Sequence, residues 1–443
     1  MMAARTLTSW GRVVQSPHAL LGLSKRNADL PELPAGAPNL LPYGNGRSYG
    51  DSCLNAGGAL LKTRTLDRFI SFDPESGVLV CESGVLFDEI LKLVVSQGWF
   101  LPVTPGTRFV TVGGAIANDV HGKNHHRAGT FGCHVQGFEL LRSDGQRLLC
   151  SRSVNPEYFA ASIGGLGLTG LITWAEIQLR RIGNPWMDVE TIRYRSLDEF
   201  FALSSSSDQD YEYTVAWIDC AARGRNFGRG LFMRANHAPA AAAPVPYQPR
   251  KMKLPVVPPI SMINSWSLKA FNALYYHKQI PDRRRALQHY EPFFYPLDGI
   301  LEWNRMYGPR GFYQYQCVIP LKQSRDATAR LLFEIGQSGM GSFLAVLKIC
   351  GSSQSPGMLS FPMSGVSLAL DFPNSGKPLH QLFDRLDVVV HQAGGRIYPA
   401  KDGRMPRKMF QAGYPEWKAF TQFIDPQFSS SFWRRVTGPD ANQ

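Results

Sequence analysis

Pro42-Tyr43-Gly44-Asn45-Gly46-Arg47-Ser48-Tyr49-Gly50-Asp51 is the stretch whose reading decides the fold. Three glycines within seven positions let successive backbone N–H groups point inward without Cβ clashes, forming a nest for phosphate oxygens. Arg47 and Ser48 add donors. A doubly wound dinucleotide fold would need a strand before this loop and a helix after it. The residues that follow, Ser52 to Gly58, are poor helix formers. Asp67 lies where a ribose-binding acid would fall, yet its surroundings do not suit that fold.

Two further glycine loops accompany the first. Pro105-Gly106-Thr107 leads into Thr111-Val112-Gly113-Gly114-Ala115-Ile116-Ala117-Asn118, where small helix formers after the glycines suit a helix N-terminus facing a pyrophosphate. Gly164-Gly165-Leu166-Gly167-Leu168-Thr169-Gly170 follows. Three such loops point to one long, phosphate-bearing ligand lying across them. Between the second and third sits Asp119-Val120-His121-Gly122-Lys123-Asn124-His125-His126. Its histidines invite a metal reading, but a glycine-rich loop with no carboxylate beyond Asp119 is a poor ligand set, and no metal is expected. His125 and His126 read as solvated or hydrogen-bonded loop residues. His121, set inside the dense loop, is expected beside a planar cofactor.

Around these loops the chain is of globular composition. It has 443 residues, 44% hydrophobic, 19% charged and 12% aromatic, enough for two or three domains. No uncharged apolar window is long enough to span a membrane, and the N-terminus lacks the apolar core of a secretory signal. Seven scattered cysteines with no Cys-x-x-Cys pair argue against a disulfide scaffold or structural zinc and fit a reducing compartment. The net charge is +12. Between Tyr247 and Arg285, eight basic residues face one acid, Asp282, so this tract carries +7 of it (eight minus one). An anionic surface or substrate is expected there. No recognition motif accompanies the charge, so nucleic acid is a poor partner.

Residues 39–180 read as short strands with few helices. Ala59–Lys62, Val78–Cys81 and Phe138–Leu141 are strand-like, and Leu86 to Gln97 has helical spacing stopped by Gly98. From Ile192 the texture changes. Tyr211–Trp217 and Phe312–Ile319 alternate polar and apolar, as in a sheet with one face on a core and the other on a cavity. Seven prolines between Pro239 and Pro259 predict a mobile Pro-rich basic loop near 237–260. A helix is expected from about Asp384 to Gln392. The fold class is α+β.

The constellation resembles the FAD-linked oxidases of the vanillyl-alcohol-oxidase type, with an FAD-binding domain of the PCMH type. Within that group, seven stretches resemble the decaprenylphosphoryl-β-D-ribose 2′-oxidase family. They are Tyr43 to Asp51, Val112 to Ala117, Val120 to His126, Gly167 to Gly170, Glu302 to Pro309, Tyr315 to Pro320 and Tyr398 to Asp402. The resemblance runs from about Trp10 to Arg435. It implies a two-domain flavoprotein: an FAD-binding domain of 5–183 completed by 396–443, and an antiparallel-sheet substrate domain of 184–395. It also implies oxidation of the 2′-hydroxyl of a polyprenylphosphoryl-β-D-ribose to the 2′-keto sugar, with hydride passing from C2′ to the flavin. An NAD(P)H-dependent short-chain reductase would complete the epimerisation to arabinose, a step in cell-envelope polysaccharide synthesis.

By the same resemblance, Pro42, Tyr43, Gly44, Asn45, Gly46, Arg47, Ser48, Tyr49, Gly50, Asp51 and Ser52 line FAD, with Gly106, Thr111, Val112, Gly113, Gly114, Asn118, Asp119, Val120, His121, Ile172 and Tyr398. Tyr49 stands where some relatives place a flavin-linking histidine, so FAD is expected to be non-covalent. Lys123, Gln316, Lys348 and Asp371 are expected to face the substrate, and Lys401 and His121 to be catalytic. Lys401 would polarise the sugar hydroxyl or steady reduced flavin; its alternative is a surface lysine paired with Asp402. Lys348 ends the apolar run Phe343 to Leu347, and either snorkels at a strand end or binds phosphate. Gln316 either makes a cross-strand hydrogen bond or meets substrate. Trp217 reads as core or cavity wall. Ala369 occupies the position where actinobacterial members carry a cavity cysteine, which leaves hydride chemistry intact but bears on thiol-trapping inhibitors and cavity shape.

Trp266, Phe271, Tyr275 and Tyr276 interleave with Lys269 and Lys278 near Arg283–Arg285. This mixture suits a lipid headgroup surface or a solvated basic face. The expected location is cytoplasmic, with peripheral attachment at the inner membrane. Two other functions compete: a soluble alditol or aldono-1,4-lactone oxidase, which would turn over free sugars, and a lipid-surface protein with FAD as a structural ligand only, whose flavin would never bleach.

Overall fold

The computed structural model describes residues 5–242, 247–248 and 252–438. Strands β1 (Arg5–Thr8), β2 (Gln15–Gly22), β3 (Leu40–Tyr43) and β4 (Ala59–Lys62) form a small mixed sheet, with β4 parallel to both β2 and β3. β5 (Phe69–Phe72) and β6 (Val78–Glu82) begin a second sheet, and the two-residue β7 (Trp99–Phe100) follows. β8 (Val135–Leu141), β9 (Arg147–Ser151) and β10 (Leu171–Gln178) complete the second sheet in the order β5-β6-β10-β8-β9, all antiparallel, and β11 (Arg180–Arg181) pairs with β7.

The sequence periodicity explains the helix beside them. In Phe87–Val94, the residues Phe87, Ile90, Leu91 and Val94 fall on one buried face. The Glu89 carboxylate accepts from the Leu86 N–H at 2.7 Å to cap the start, and Gly98 at φ 80° ends the following turn.

An eight-stranded antiparallel sheet occupies the later part of the chain. Its strands are β12 (Trp186–Tyr194), β13 (Tyr213–Ile218), β14 (Gly230–His237), β16 (Arg283–His289), β18 (Phe312–Pro320), β19 (Ala345–Cys350), β20 (Gly365–Pro373) and β21 (Arg396–Ile397), in the spatial order β16-β12-β14-β13-β19-β20-β18-β21. The short β15 (Met252–Lys253) and β17 (Ile300–Leu301) pair in parallel beside it. Part of the Pro-rich tract is therefore pinned as a strand; residues 243–246 and 249–251 of that tract, including Arg250 and Lys251, lie outside the described residues.

Period-two alternation divides this sheet. Tyr315, Cys317, Leu347, Leu368 and Leu370 enter one core with Leu331, Leu332 and Ile335 of the helix Ser324–Ser338, and with Leu379, Leu382, Phe383 and Leu386 of the helix Lys377–Gln392. Gln314, Gln316, Val346, Lys348, Ala369 and Asp371, the intervening residues, face a cavity. The helix expected from about Asp384 starts at Lys377, because Pro378 is admissible in a first helical turn.

The chain end returns to the first sheets. Leu40 N–H donates to the Gln427 carbonyl at 2.7 Å, and Ser429 N–H to the Leu40 carbonyl at 3.0 Å. The last helix, Ser431–Thr437, is capped by the Ser430 hydroxyl, which accepts from the Trp433 N–H at 3.0 Å. No helix among the described residues is long and apolar enough to cross a membrane.

Candidate active site

One cavity of roughly 1330 Å³ runs between the first sheets and the inner face of the eight-stranded sheet. All three glycine loops open onto it. Pro42, Gly44, Asn45, Gly46, Arg47, Ser48, Tyr49 and Ser52 line it from the first; Gly106, Thr111, Gly113, Gly114, Asn118, Val120 and His121 from the second; Leu166, Gly167, Thr169 and Gly170 from the third, followed by Leu171 and Ile172. Tyr398 closes this side.

Five expected cofactor residues lie behind that wall. The Tyr43 ring supports the turn from below: a Cβ on Gly46, which has φ 60°, would meet the Tyr43 hydroxyl. Gly50 lets the loop press against the Asp402 carbonyl, where a Cβ would overlap it. Asp51 is held by Arg435. Val112 belongs to the core. Asp119, at φ 40°, accepts from Gly132 N–H at 2.9 Å and from the hydroxyls of Ser355 and Ser360. These residues shape the loops from the far side.

The cavity chemistry fits a long dinucleotide. Arg47 Nε, Ser52 Oγ, Ser83 Oγ and His121 Nδ1 are buried polar atoms at its wall with no partner among the described residues. A Cβ on Gly106 would project into open space, and on Gly114 would meet only Thr111 Oγ1. Bare backbone and unspent donors are what phosphate oxygens and a planar ring system require.

His121 lies against a pair of aromatic rings, its centre 5.4 Å from Phe361 and 5.3 Å from Tyr398, which stack on each other at 4.5 Å. Burial and the nearby lysines hold its imidazole well below the usual histidine range, so it is neutral. Gln316 Nε2 donates to His121 Nε2 at 3.0 Å, which leaves the proton on Nδ1. The same Gln316 amide reaches Ser367 Oγ at 3.5 Å, so it both crosses the strands and faces the cavity.

The substrate candidates converge opposite. Lys348 sits in mid-strand on β19, not at a strand end, and its Nζ donates to the Gly122 carbonyl at 2.8 Å. Burial pushes its ammonium down to about 8. Lys123 Nζ donates to the carbonyls of Phe293 at 2.9 Å and Phe294 at 3.3 Å, and burial with Lys348 nearby lowers it to about 7. Among the described residues, neither lysine has a carboxylate within salt-bridge distance; their recorded partners are backbone carbonyls. Asp371 Oδ1 accepts from Gln314 Nε2 at 2.6 Å, while Oδ2 is buried with no partner among the described residues. Burial raises that carboxyl strongly. Lys401 Nζ stands 3.7 Å above the Tyr49 ring; burial lowers its ammonium and Asp371 partly restores it. The pairing of Lys401 with Asp402 is not found, since Asp402 bonds Arg435 at 2.8 Å. Trp217 is cavity wall, its indole N–H donating to the Phe343 carbonyl at 2.9 Å.

Other expectations are corrected. His125 and His126 begin a helical turn, His125–Ala128. His125 is buried with neither ring nitrogen bonded, so it is neither solvated nor hydrogen-bonded; His126 does bond, to the Tyr211 carbonyl at 3.0 Å. No group of metal-ligating side chains occurs among the described residues. Sequence reasoning missed Gln314 and Asp298. Gln314 is two positions before Gln316 on an alternating strand, which was signal enough. Asp298 accepts from the Arg108 N–H at 2.9 Å near Arg47, a long-range contact with no local signature.

A family model described as an FAD binding domain matches residues 36–151. The chain is similar to decaprenylphosphoryl-β-D-ribose oxidase of Mycolicibacterium smegmatis, 35% identical over 98% of this chain and 97% of the relative. It is also similar to an uncharacterized protein of Streptomyces coelicolor, 33% identical over 80% of this chain and all of the relative. A partial likeness, 31% identical over 31% of this chain and 27% of the relative, links it to cytokinin dehydrogenase 2 of Arabidopsis thaliana.

Proposed function

The chain belongs to the decaprenylphosphoryl-β-D-ribose oxidase family, and from that premise we propose that it oxidises the 2′-hydroxyl of a polyprenylphosphoryl-β-D-ribose to the 2′-keto sugar. It is an FAD-dependent oxidoreductase. Residues 5–183 with 396–443 act in this reading as the FAD domain, and 184–395 as the substrate domain. The observation that carries it is the continuity of one cavity from the glycine loops to Lys123, Lys348, Asp371 and Lys401.

FAD, when bound, supplies a two-electron acceptor for the hydride at C2′. The chain supplies the rest. The loops at Gly44 to Ser48 and Thr111 to Gly114 hold the pyrophosphate, and His121 Nδ1–H offers a donor to the ring system. No histidine stands at Tyr49, which supports non-covalent attachment; acid precipitation should leave the yellow colour in the supernatant. Lys348 and Lys123, buried cations without carboxylates, bind the phosphate. Lys401 Nζ polarises the sugar hydroxyl, and Asp371 Oδ2, raised toward neutrality and unpaired, receives its proton. Gln316 fixes both His121 and the sugar. Loss of flavin absorbance on anaerobic mixing with a short-chain prenylphosphoryl ribose tests this reading; persistence of the absorbance contradicts it.

The keto sugar then passes to an NAD(P)H-dependent short-chain reductase in cell-envelope polysaccharide synthesis. The enzyme acts in the cytoplasm at the inner-membrane surface. All seven cysteines are free, which suits that compartment. The helix Ser265–His277 exposes Trp266 (83%) and Leu274 (73%), Ile280 beyond it is 89% exposed, and the helix carries Lys269 but no acid. Arg285 is ion-paired with Asp188 and Arg283 lies 4.0 Å from Glu190, so the arginine tract is partly neutralised and the helix contributes the apolar half of the contact. Flotation with anionic liposomes should fall when Trp266 and Leu274 become Ser or when Arg283, Arg284 and Arg285 become Glu; equal flotation contradicts membrane docking.

A further inference from the structure

Strand register places the cavity-facing residues in rows that run across the eight-stranded sheet. One row reads Gln316, Ala369, Val346, Trp217 and Leu231, each paired with the next across a strand boundary. A second pairs Ser367 with Lys348; beyond it Val215 pairs with Met233, Met233 with Thr191, and Thr191 with Arg284. Both rows change character in the same direction. At the β18–β20 end they present Gln316 and Ser367, and the adjacent row pairs Gln314 with Asp371. At β19 they present a cation, Lys348, with Lys123 across from it. Beyond that, Val346, Trp217, Leu231, Val215, Met233 and Thr191 form a strip without a charged side chain, all of it cavity wall. The strip ends at the edge strand β16, where Arg284 and Ala286 line the cavity.

The helix Ser265–His277 roofs this end. Tyr275 packs on Trp217 with ring centres 4.8 Å apart, and Lys278 Nζ lies 3.5 Å over Tyr275. The exposed apolar face of that helix adjoins the exit. An apolar strip that starts at two buried lysines and ends at a basic, apolar rim matches a chain with phosphate at one end and a hydrocarbon continuing outward.

We propose that this strip seats the first isoprene units of the substrate tail, so that the substrate lies across the strands, sugar at β18–β20, phosphate at Lys348 and Lys123, and tail leaving over β16. The inference rests on the phosphoprenyl substrate proposed above, and it sets specificity: the tail is read by the sheet before it enters a bilayer. Met233 is the position to change, since it is only half-buried and lies mid-strip.

Calorimetry on the FAD-loaded protein with farnesyl phosphate and with methyl phosphate tests it. Wild type should bind farnesyl phosphate at least about tenfold more tightly, as several buried methylenes require. Met233→Glu should lose about tenfold of that preference, because a carboxylate cannot be desolvated against hydrocarbon. Met233→Gln carries the same comparison if the charged variant does not fold, with flavin content and Tm as the folding control. Equal affinity of wild type for both ligands, or an unchanged preference in both folded variants, overturns the proposal. Farnesyl phosphate binding without flavin bleaching by farnesylphosphoryl ribose would instead contradict the proposed reaction and leave the tail site standing.

Discussion

Arg435 on the last helix grips Asp51 of the first glycine loop with two parallel hydrogen bonds, Nε to Oδ2 at 2.8 Å and Nη2 to Oδ1 at 2.7 Å. The same Nη2 reaches Asp402 Oδ2 at 2.8 Å, next to Lys401, and Asp402 Oδ1 in turn accepts from the Arg404 and Met405 N–H groups. One guanidinium thus joins the loop that meets the cofactor to the turn that carries Lys401. Arg435→Ala leaves two buried carboxylates facing each other, and we expect a loss of about 2 kcal/mol of stability, short of a fully buried pair because Arg435 is partly exposed. Arg435→Lys should not restore it, since a point charge cannot make the fork. Thermal unfolding and the FAD dissociation constant, both worse in each variant, check this.

Little of that lock was legible in the sequence. Asp51 and Arg435 are 384 positions apart, and neither lies in a pattern that names the other. The glycine loops were legible because their chemistry is local: a nest is written in adjacent residues. Alternation along Phe312–Pro320 placed Gln316 on the cavity face, but only cross-strand register showed that Lys348 is mid-strand with Ser367 opposite. Residues 283–285 looked like a free basic tract because the sequence does not reveal Asp188 and Glu190 on the adjacent strand. His125 was misread because its burial comes from tertiary packing.

The pH dependence follows from Lys348 and Lys123. An ammonium is charged below its pKa, and burial has moved these two from 10.5 to about 8 and about 7. Phosphate binding requires the charge, so affinity for the phosphorylated substrate is retained at lower pH and lost as pH rises through that window. The kcat/KM profile of the free enzyme should rise as the Asp371 carboxyl, raised to about 7, ionises and fall as the lysines lose their charge, and Lys348→Met should remove the falling limb along with much of the affinity. A profile that climbs steadily from pH 7 to 9 contradicts phosphate binding at this pair.

Asp371 and Lys401 should separate binding from chemistry. Asp371→Asn keeps the hydrogen-bonding shape but removes the proposed proton acceptor, and we expect flavin bleaching to slow by about 10²-fold or more while FAD stays bound. Lys401→Met should slow the same step. Rapid-mixing rates beside an unchanged flavin content check both, and a wild-type rate in Asp371→Asn assigns the proton elsewhere.

Ala369 lies between Gln316 and Val346 in the cavity row. Among the described residues Cys53 is the cysteine at the cavity wall, and burial pushes its thiol up to about 12, so it is unreactive. Thiol-trapping electrophiles sized for the cavity should leave Cys53 of wild type unlabelled by peptide mass mapping and should label and inactivate Ala369→Cys. Labelling of wild type at Cys53 contradicts this.

The central claim is that this cavity holds C2′ of a phosphoprenyl ribose where its hydrogen leaves as hydride. Anaerobic rapid mixing with substrate carrying deuterium at C2′ tests it most directly. Flavin absorbance should disappear several-fold more slowly than with protiated substrate, and deuterium at C3′ should have no effect. Bleaching at the same rate with both isotopes at C2′, or slowed by deuterium at C3′, contradicts the account.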